Sequence, residues 1–305
     1  MQRYILRRLL QGVVLLFVLA IIVFALARVT GNPADLMLPD DASAEDRADL
    51  MRTLGLDRPL HEQLWTFLSG AVRGDLGRSI RYRKPAVEVF FERLPNTLTL
   101  VPLALLGAVL VSIPLGLLAA VYRGTMIDRV CSTVAVLGIA TPSFWLGIVL
   151  IYVFSITLGW LPSARMGGPT HYILPVITLS AFLVAGMMRL VRSSVLEVLD
   201  SEFVKLARIK GLSSTVVLWK HCLRNALIPV VTLFGVFFAL LVTGAIVTET
   251  VFAWPGVGRL AYEAVIFRDY PLLQALILLK AIIVLSVNLA VDVLYAYLDP
   301  RVRYA

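Results

Sequence analysis

Phosphate transfer, metal chemistry and covalent catalysis each need a few residue types at tight spacing, and none of these signatures is present. No Gly-Lys dipeptide occurs in the 305 residues, so no loop of the Walker kind is available to cradle a nucleotide. The histidines His61, His171 and His221 are scattered along the chain. Cys131 and Cys222 lie far apart, with no second thiol or histidine at ligand spacing. Neither a zinc site nor a disulfide framework is implied. No nucleophile–base arrangement stands out, so the chain is expected not to be an enzyme, and any ATP that drives it must be bound by another polypeptide.

The residues that can do work are of another kind: charges grouped to meet a partner, and polar groups set into apolar runs. From Arg189 to Pro229 the chain carries seven Lys/Arg (Arg189, Arg192, Lys205, Arg208, Lys210, Lys220, Arg224) against three acids (Glu197, Asp200, Glu202). Long apolar runs flank this stretch, which places it as a cytoplasmic connector. From Glu202 to Lys210 the residues are strong helix formers, with Phe203, Leu206 and Ala207 expected on one face. Gly211 stops the helix and Ser213 is placed to start the next.

Polar residues inside apolar runs cost insertion free energy, about 2.5–3.5 kcal/mol for a central Lys or Asp. Asn288 and Asp292 are four apart on one helical face, with Lys280 two turns earlier. They either line a translocation path or gate, or simply bond a neighbouring helix while Lys280 snorkels outward. A further stretch, Thr248 to Gln274, holds Glu249, Phe252, Trp254 and Tyr262 beside a turn forced by Pro255, Gly256 and Gly258. Its plainest reading is a belt of interfacial aromatics on a connecting turn.

The elements that must position these groups are membrane helices. The chain is 59% hydrophobic and 16% charged, and the charges cluster between runs that carry almost none. An all-α polytopic membrane protein with six spans follows. Span 1 (Leu9–Ala27) follows Arg3, Arg7 and Arg8. It is longer than a signal-peptide core of about 7–15 residues and is expected to be retained. The others are expected at Leu98–Val121 (with Pro102 and Pro114 as kinks), Val130–Leu158 (interrupted at Thr141-Pro142), Tyr172–Val191, Leu227–Val247 and Pro271–Leu298. Between spans 1 and 2, residues Thr30–Pro95 hold nine Lys/Arg and eleven Asp/Glu, broken by Pro33, Pro39, Pro59, Pro85 and Pro95. This segment is expected to fold as a small helical extracytoplasmic cap.

With both termini inside, the short cytoplasmic segments hold fourteen Lys/Arg and the short outer loops three, Arg165, Arg259 and Arg268. That asymmetry sets the orientation. It also absorbs the net charge of +8, which anionic lipid explains without nucleic acid. The expected organisation is 1–95 for span 1 and cap, 96–298 for a transmembrane core with a loop at 192–226, and 299–305 for a cytoplasmic tail.

KLARIKG followed by HCLRNALIPVVT resembles the cytoplasmic coupling loop of ABC-importer permeases, closest to the branch for dipeptides, oligopeptides, glutathione and nickel. Anchored on Gly211, the broad family pattern falls on Lys205, Leu206, Ala207, Gly211, His221, Leu223 and Arg224, with Ala207, Gly211 and Leu223 fitting strictly. Glu249 to Gly256 (ETVFAWPG) resembles the segment after span 5 in the same branch, and GNPADLM, LGLDRPLHEQ and GDLGRS are similar to stretches of its N-terminal part.

The resemblance implies a type I ABC-importer permease fold in the bacterial cytoplasmic membrane. It implies a second, homologous permease subunit, two ATPase subunits that bind ATP and Mg, and an extracytoplasmic solute-binding protein, with no cofactor in this chain. It assigns ATPase coupling to Glu202, Phe203, Val204, Lys205, Leu206, Ala207, Arg208, Lys210, Gly211, Leu223 and Arg224. Glu249, Phe252, Trp254, Lys280, Asn288 and Asp292 become candidates for the translocation path or gate. The implied solute is a di- or oligopeptide or a glutathione-like peptide, with nickel or another small solute as the alternative. A proton-driven secondary transporter is the rival from another class. It would show paired repeats and ion ligands at midplane, and no such repeat is seen.

Overall fold

A computed structural model describes residues 2–29, 43–53, 55–213 and 216–298. The stretch GNPADLM, Ser214 and the tail 299–305 lie outside the described residues, as do the side chains of His221 and Asp292. The described chain is helical, with one isolated antiparallel bridge between Arg78 and Pro85. In order, the helices are α1 (Gln2–Val29), α2 (Ala44–Thr53), α3 (Leu60–Val72), α4 (Ala86–Val121), α5 (Met126–Ala140) and α6 (Ser143–Leu150). Then come α7 (Thr170–Leu199), α8 (Glu202–Ile209), α9 (Leu223–Ala226), α10 (Ile228–Gly244), α11 (Ile246–Val251), α12 (Val257–Ile266) and α13 (Tyr270–Leu298). Two π-helical stretches, Ile151–Thr157 and Val217–Cys222, run on from α6 and into α9.

Among the described residues, four helices are long and apolar enough to cross a membrane: Ile5–Arg28 of α1, α4, α7, and Tyr270–Val291 of α13. A fifth arises if the pair Met126–Ala140 and Ser143–Thr157, bent by 101°, counts as one broken span. The break falls at Thr141-Pro142, where the sequence places it, because Pro142 has no N–H to continue the ladder. Thr141 instead turns back and its Oγ1 donates to the Leu137 carbonyl at 2.7 Å. The expected fifth span is represented by the shorter apolar helix Leu233–Val242 within α10.

Two expectations about boundaries are corrected. Pro95 does not break the chain; α4 runs without interruption through Pro95, Pro102 and Pro114, beginning well before the apolar run. Arg189 to Leu199 is not loop either but the last turns of α7, which carries the fourth apolar run straight into the basic segment. In both cases an apolar run marks the membrane-sized part of a helix, whereas backbone hydrogen bonding and packing continue it beyond.

Packing groups the chain into two compact units, residues 1–96 with 256–305, and residues 97–255. The first has a core in which Val89 and Phe90 of α4 meet Leu260 and Ala264 of α12, Leu272 and Leu276 of α13, and Ala20 of α1. Buried Asp269 organises it. Its Oδ1 accepts the Leu272 N–H at 3.2 Å, capping α13, and its Oδ2 accepts Ser79 Oγ at 2.5 Å and the Arg81 N–H at 3.1 Å. Tyr82 adds a bond from its hydroxyl to Glu263 at 2.8 Å.

The second unit is built around α7. Gly116 of α4 makes the closest approach to it: a Cβ there would stand 2.7 Å from Val191 Cβ and 2.8 Å from the Met188 carbonyl. Ser180 donates to the Ala104 carbonyl at 2.8 Å, and the helices α5 and α7 are joined by an ion pair described below.

Candidate functional site

The basic segment resolves into a short helix on a small base. Ser201 precedes α8 with extended backbone, and Ala207, Arg208, Lys210, Gly211 and Leu212 close it with a left-handed turn. Gly211 takes φ +77°, its N–H bonds the Arg208 carbonyl at 3.0 Å, and the Leu212 N–H bonds the Ala207 carbonyl at 3.4 Å. This pairing satisfies two carbonyls at the helix end and needs a residue without Cβ strain at its centre. Ser213 then receives the Val216 N–H on its Oγ at 3.4 Å, which opens the next helical stretch as expected.

α8 has two unlike faces. Val204 and Ala207 are buried against Val217 and Cys222, with Val198 and Leu199 of α7 alongside. Burial pushes the Cys222 thiol above its ordinary pKa, and nearby Arg208 pulls weakly the other way. Phe203, Leu206 and Ile209 point the other way, Leu206 being 52% and Ile209 81% exposed, and Leu212, Val216 and Trp219 further along the segment are exposed as well.

The sequence grouping of Phe203, Leu206 and Ala207, and of Val204 with the docking residues, is therefore corrected. Residues 204 and 207 are one turn apart on the inward side, while 203, 206 and 209 form the outward stripe. Lys205 pairs with Glu202 at 2.8 Å on the exposed side. Lys210 and Arg224 are exposed, whereas Leu223 is buried.

Among the described residues, an ion pair that sequence reading missed joins the helix bearing α8 to α5. Arg192 of α7 bonds Asp128 through Nε to Oδ1 and through a terminal nitrogen to Oδ2, both at 2.8 Å. Asp128 also accepts the Gly124 N–H at 2.9 Å, so its carboxylate ties the turn before α5 to α7. A two-point Arg–carboxylate contact fixes orientation as well as distance. No local signal reveals it, because the partners are 64 residues apart.

The second stretch behaves differently. Phe252 is 2% exposed, and Trp254 and Glu249 are fully buried. Trp254 meets Tyr172 edge to face, with centroids 4.7 Å apart, and the Phe252 carbonyl accepts the Arg165 N–H at 2.8 Å. Glu249 accepts a hydrogen bond from Thr97 Oγ1 at 2.7 Å. The aromatic-belt reading is corrected for Phe252 and Trp254, which are interior residues; Tyr262 alone of the three is exposed.

Lys280 is also buried, at 8% exposure, rather than snorkelling. Asn288 is exposed and lines a groove of about 320 Å³ with Gln11, Gly12 and Ser286. The structure thus gathers Glu249, Phe252 and Trp254 on one turn.

Residues 112–304 match the family model described as binding-protein-dependent transport system inner membrane component, and residues 1–101 match the model for the N-terminal part of such membrane components. Glutathione transport system permease proteins named GsiC, from Escherichia coli and from Salmonella choleraesuis, are 44% identical over 305 residues, covering 100% of both chains. Among solved structures, an inward-facing MetNI methionine ABC transporter chain superposes with TM-score 0.60 at 18% identity, covering 69% of this chain and 96% of that one. A chain of an amino acid ABC transporter solved with histidines gives TM-score 0.53 at 17% identity, over 69% of this chain and 94% of that one. At these identities the two structures speak to the fold alone.

Proposed function

The chain belongs to the binding-protein-dependent transport system inner membrane components, and from that membership we propose the following working cycle for it. It is an ABC-importer permease of the peptide branch, and the solute we assign is a di- or oligopeptide or glutathione-like peptide, the last of these in keeping with the glutathione named for its relatives. In the proposed topology six spans cross the cytoplasmic membrane with both termini inside and residues 1–95 supply the first span and an outer cap. The core spans 96–298, and 299–305 form a cytoplasmic tail.

In this reading two ATPase subunits hold ATP and Mg on the cytoplasmic side, a second permease subunit completes the passage, and an external solute-binding protein delivers the load. ATP-driven closure of the ATPase pair moves α8, and α7 carries that motion into the spans. The ATP chemistry lies wholly in the partner subunits.

One observation carries the proposal: α8 holds an exposed apolar stripe of Phe203, Leu206 and Ile209 on a rigid base, ended by the turn at Gly211. Large apolar side chains in a charged segment outside the spans call for a partner surface. The buried seat of Val204, Ala207, Val217 and Cys222, with Val198 and Leu199 of α7 against it, lets a push on α8 reach α7 rather than dissipate. Lys205, Arg208, Lys210 and Arg224 rim the surface and steer an acidic groove, with Glu202 holding Lys205. For the path or gate, Glu249, Phe252 and Trp254 act as a stiff turn behind the passage, and Lys280, Asn288 and Asp292 remain candidate lining groups on α13.

The test is Gly211→Pro in the assembled transporter reconstituted in vesicles. Uptake driven by ATP is expected to fall to background while membrane insertion is unchanged. Full uptake by this variant removes the coupling assignment.

A further inference from the structure

In the first unit, a cleft of about 420 Å³ opens beside the end of α1, and its wall includes Arg28, Arg52, Arg58, Gln63, Asp75 and Gln274. Arg28 is partly buried there, yet its contacts are neutral. Its Nε and a terminal nitrogen donate to Gln63 Oε1 at 3.4 and 3.1 Å, and its guanidinium lies 3.8 Å from the Phe24 ring centroid. Gln63 is itself held so that its oxygen faces Arg28, since its Nε2 donates to the Arg58 carbonyl at 2.8 Å and the Leu56 carbonyl at 3.1 Å.

Among the described residues no carboxylate pairs with the Arg28 or Arg58 guanidinium, and Arg52 reaches only exposed Asp49 at 3.5 Å. Asp75 also lines the cleft and keeps its charge; its Oδ1 accepts the Gly77 N–H at 3.0 Å, and it forms no ion pair with these arginines among the described residues. A half-buried cation without a direct counterion is costly, and guanidinium groups not engaged by a carboxylate are a natural receptor for an oxyanion.

The position of the cleft narrows the choice of anion. The apolar stretch Ile5–Arg28 of α1 has 24 residues, about 36 Å of helix at 1.5 Å per residue, against a hydrocarbon core of roughly 30 Å. Arg28 therefore stands at headgroup depth. Trp65 of the adjoining α3, 73% exposed, suits the same level. Phe24, buried one turn before Arg28, packs on Phe67 of the cleft wall with centroids 5.8 Å apart.

We propose that this cleft binds the phosphate of an anionic phospholipid headgroup, with Arg28 and Arg58 as the principal ligands and Arg52 at the rim. The site is separate from the coupling surface, and only the leaflet it faces depends on the topology proposed above.

The test uses the full chain, purified in mild detergent and as Arg28→Gln with Arg58→Gln, challenged with phosphatidylglycerol, phosphatidylcholine or inorganic phosphate. Retained lipid is counted by native mass spectrometry, and thermal shift is read in parallel. Wild type is expected to retain phosphatidylglycerol about tenfold better than the double variant, as loss of charged hydrogen bonds implies, and to prefer it to phosphatidylcholine. Arg58→Gln alone, at an exposed side chain, is expected to show part of the loss, so a folding defect cannot account for it. Equal retention by wild type and variant, or no headgroup preference, overturns the site. A thermal shift from inorganic phosphate as large as that from phosphatidylglycerol overturns the lipid as its source.

Discussion

The short helix α8 and the turn from Glu249 to Gly256 are both rich in large apolar residues, and both stand out in the sequence. They differ in where those residues go. On α8, Phe203, Leu206 and Ile209 face outward over a thin base of small buried residues. At the turn, Phe252 and Trp254 are interior, with Tyr172 edge to face against Trp254. An apolar side chain that leaves water inside its own chain stabilises the fold; one that stays exposed stabilises an assembly. The two regions should therefore fail in opposite ways when truncated.

The largest contrast is expected from Trp254→Ala, which empties a fully buried site and costs about 3–5 kcal/mol. Thermal unfolding in detergent should show a large fall in melting temperature, with little protein recovered from membranes. A variant that melts like wild type would erase the distinction between the regions.

Next in size is the ion pair. Asp128→Asn leaves Arg192 without its two-point partner, and about 2 kcal/mol is expected, discounted because the Arg192 side chain keeps 28% of its surface. The reversed pair, Asp128→Arg with Arg192→Asp, should recover part of the loss. Recovery of ATP-driven uptake along with stability would extend the α8 region into α5; recovery of stability alone would confine the pair to scaffolding.

Phe203→Ala with Leu206→Ala comes third in stability but tests function directly. Unfolding should shift by no more than about 0.5 kcal/mol per site, while retention of the ATPase subunits through purification falls about tenfold. Unchanged retention would break the comparison from the other side.

The smallest effect concerns the base of α8. With Cys131→Ser as background, Cys222 should react slowly with a maleimide at neutral pH. Its raised pKa keeps the thiol protonated through the ordinary range, so thiolate and labelling appear only at higher pH than for a free cysteine. Val204→Asp, which loosens the seat, should speed labelling.

Features set by near neighbours in the chain were legible from the residues. The apolar runs, the interruption at Thr141-Pro142 and the stop at Gly211 each depend on a few adjacent positions, because helix continuation and turn strain are local. The membership of α8 was legible too, from KLARIKG. Its facing was not: a helix with apolar residues at 203, 204, 206 and 207 has two defensible inner faces, and only the cluster around Cys222 chooses between them.

What the amino-acid order determined by itself was the class of molecule, its membrane-sized helices, and the short helix in the basic segment. Tertiary structure alone decided which side chains that helix keeps and which it offers. It also buried Trp254, Glu249 and Lys280, and it paired Asp128 with Arg192 across 64 residues and Ser79 with Asp269 across 190. The reason is one of range: backbone propensity and hydropathy act within a few residues, whereas burial and ion pairing depend on whatever surface folding brings alongside.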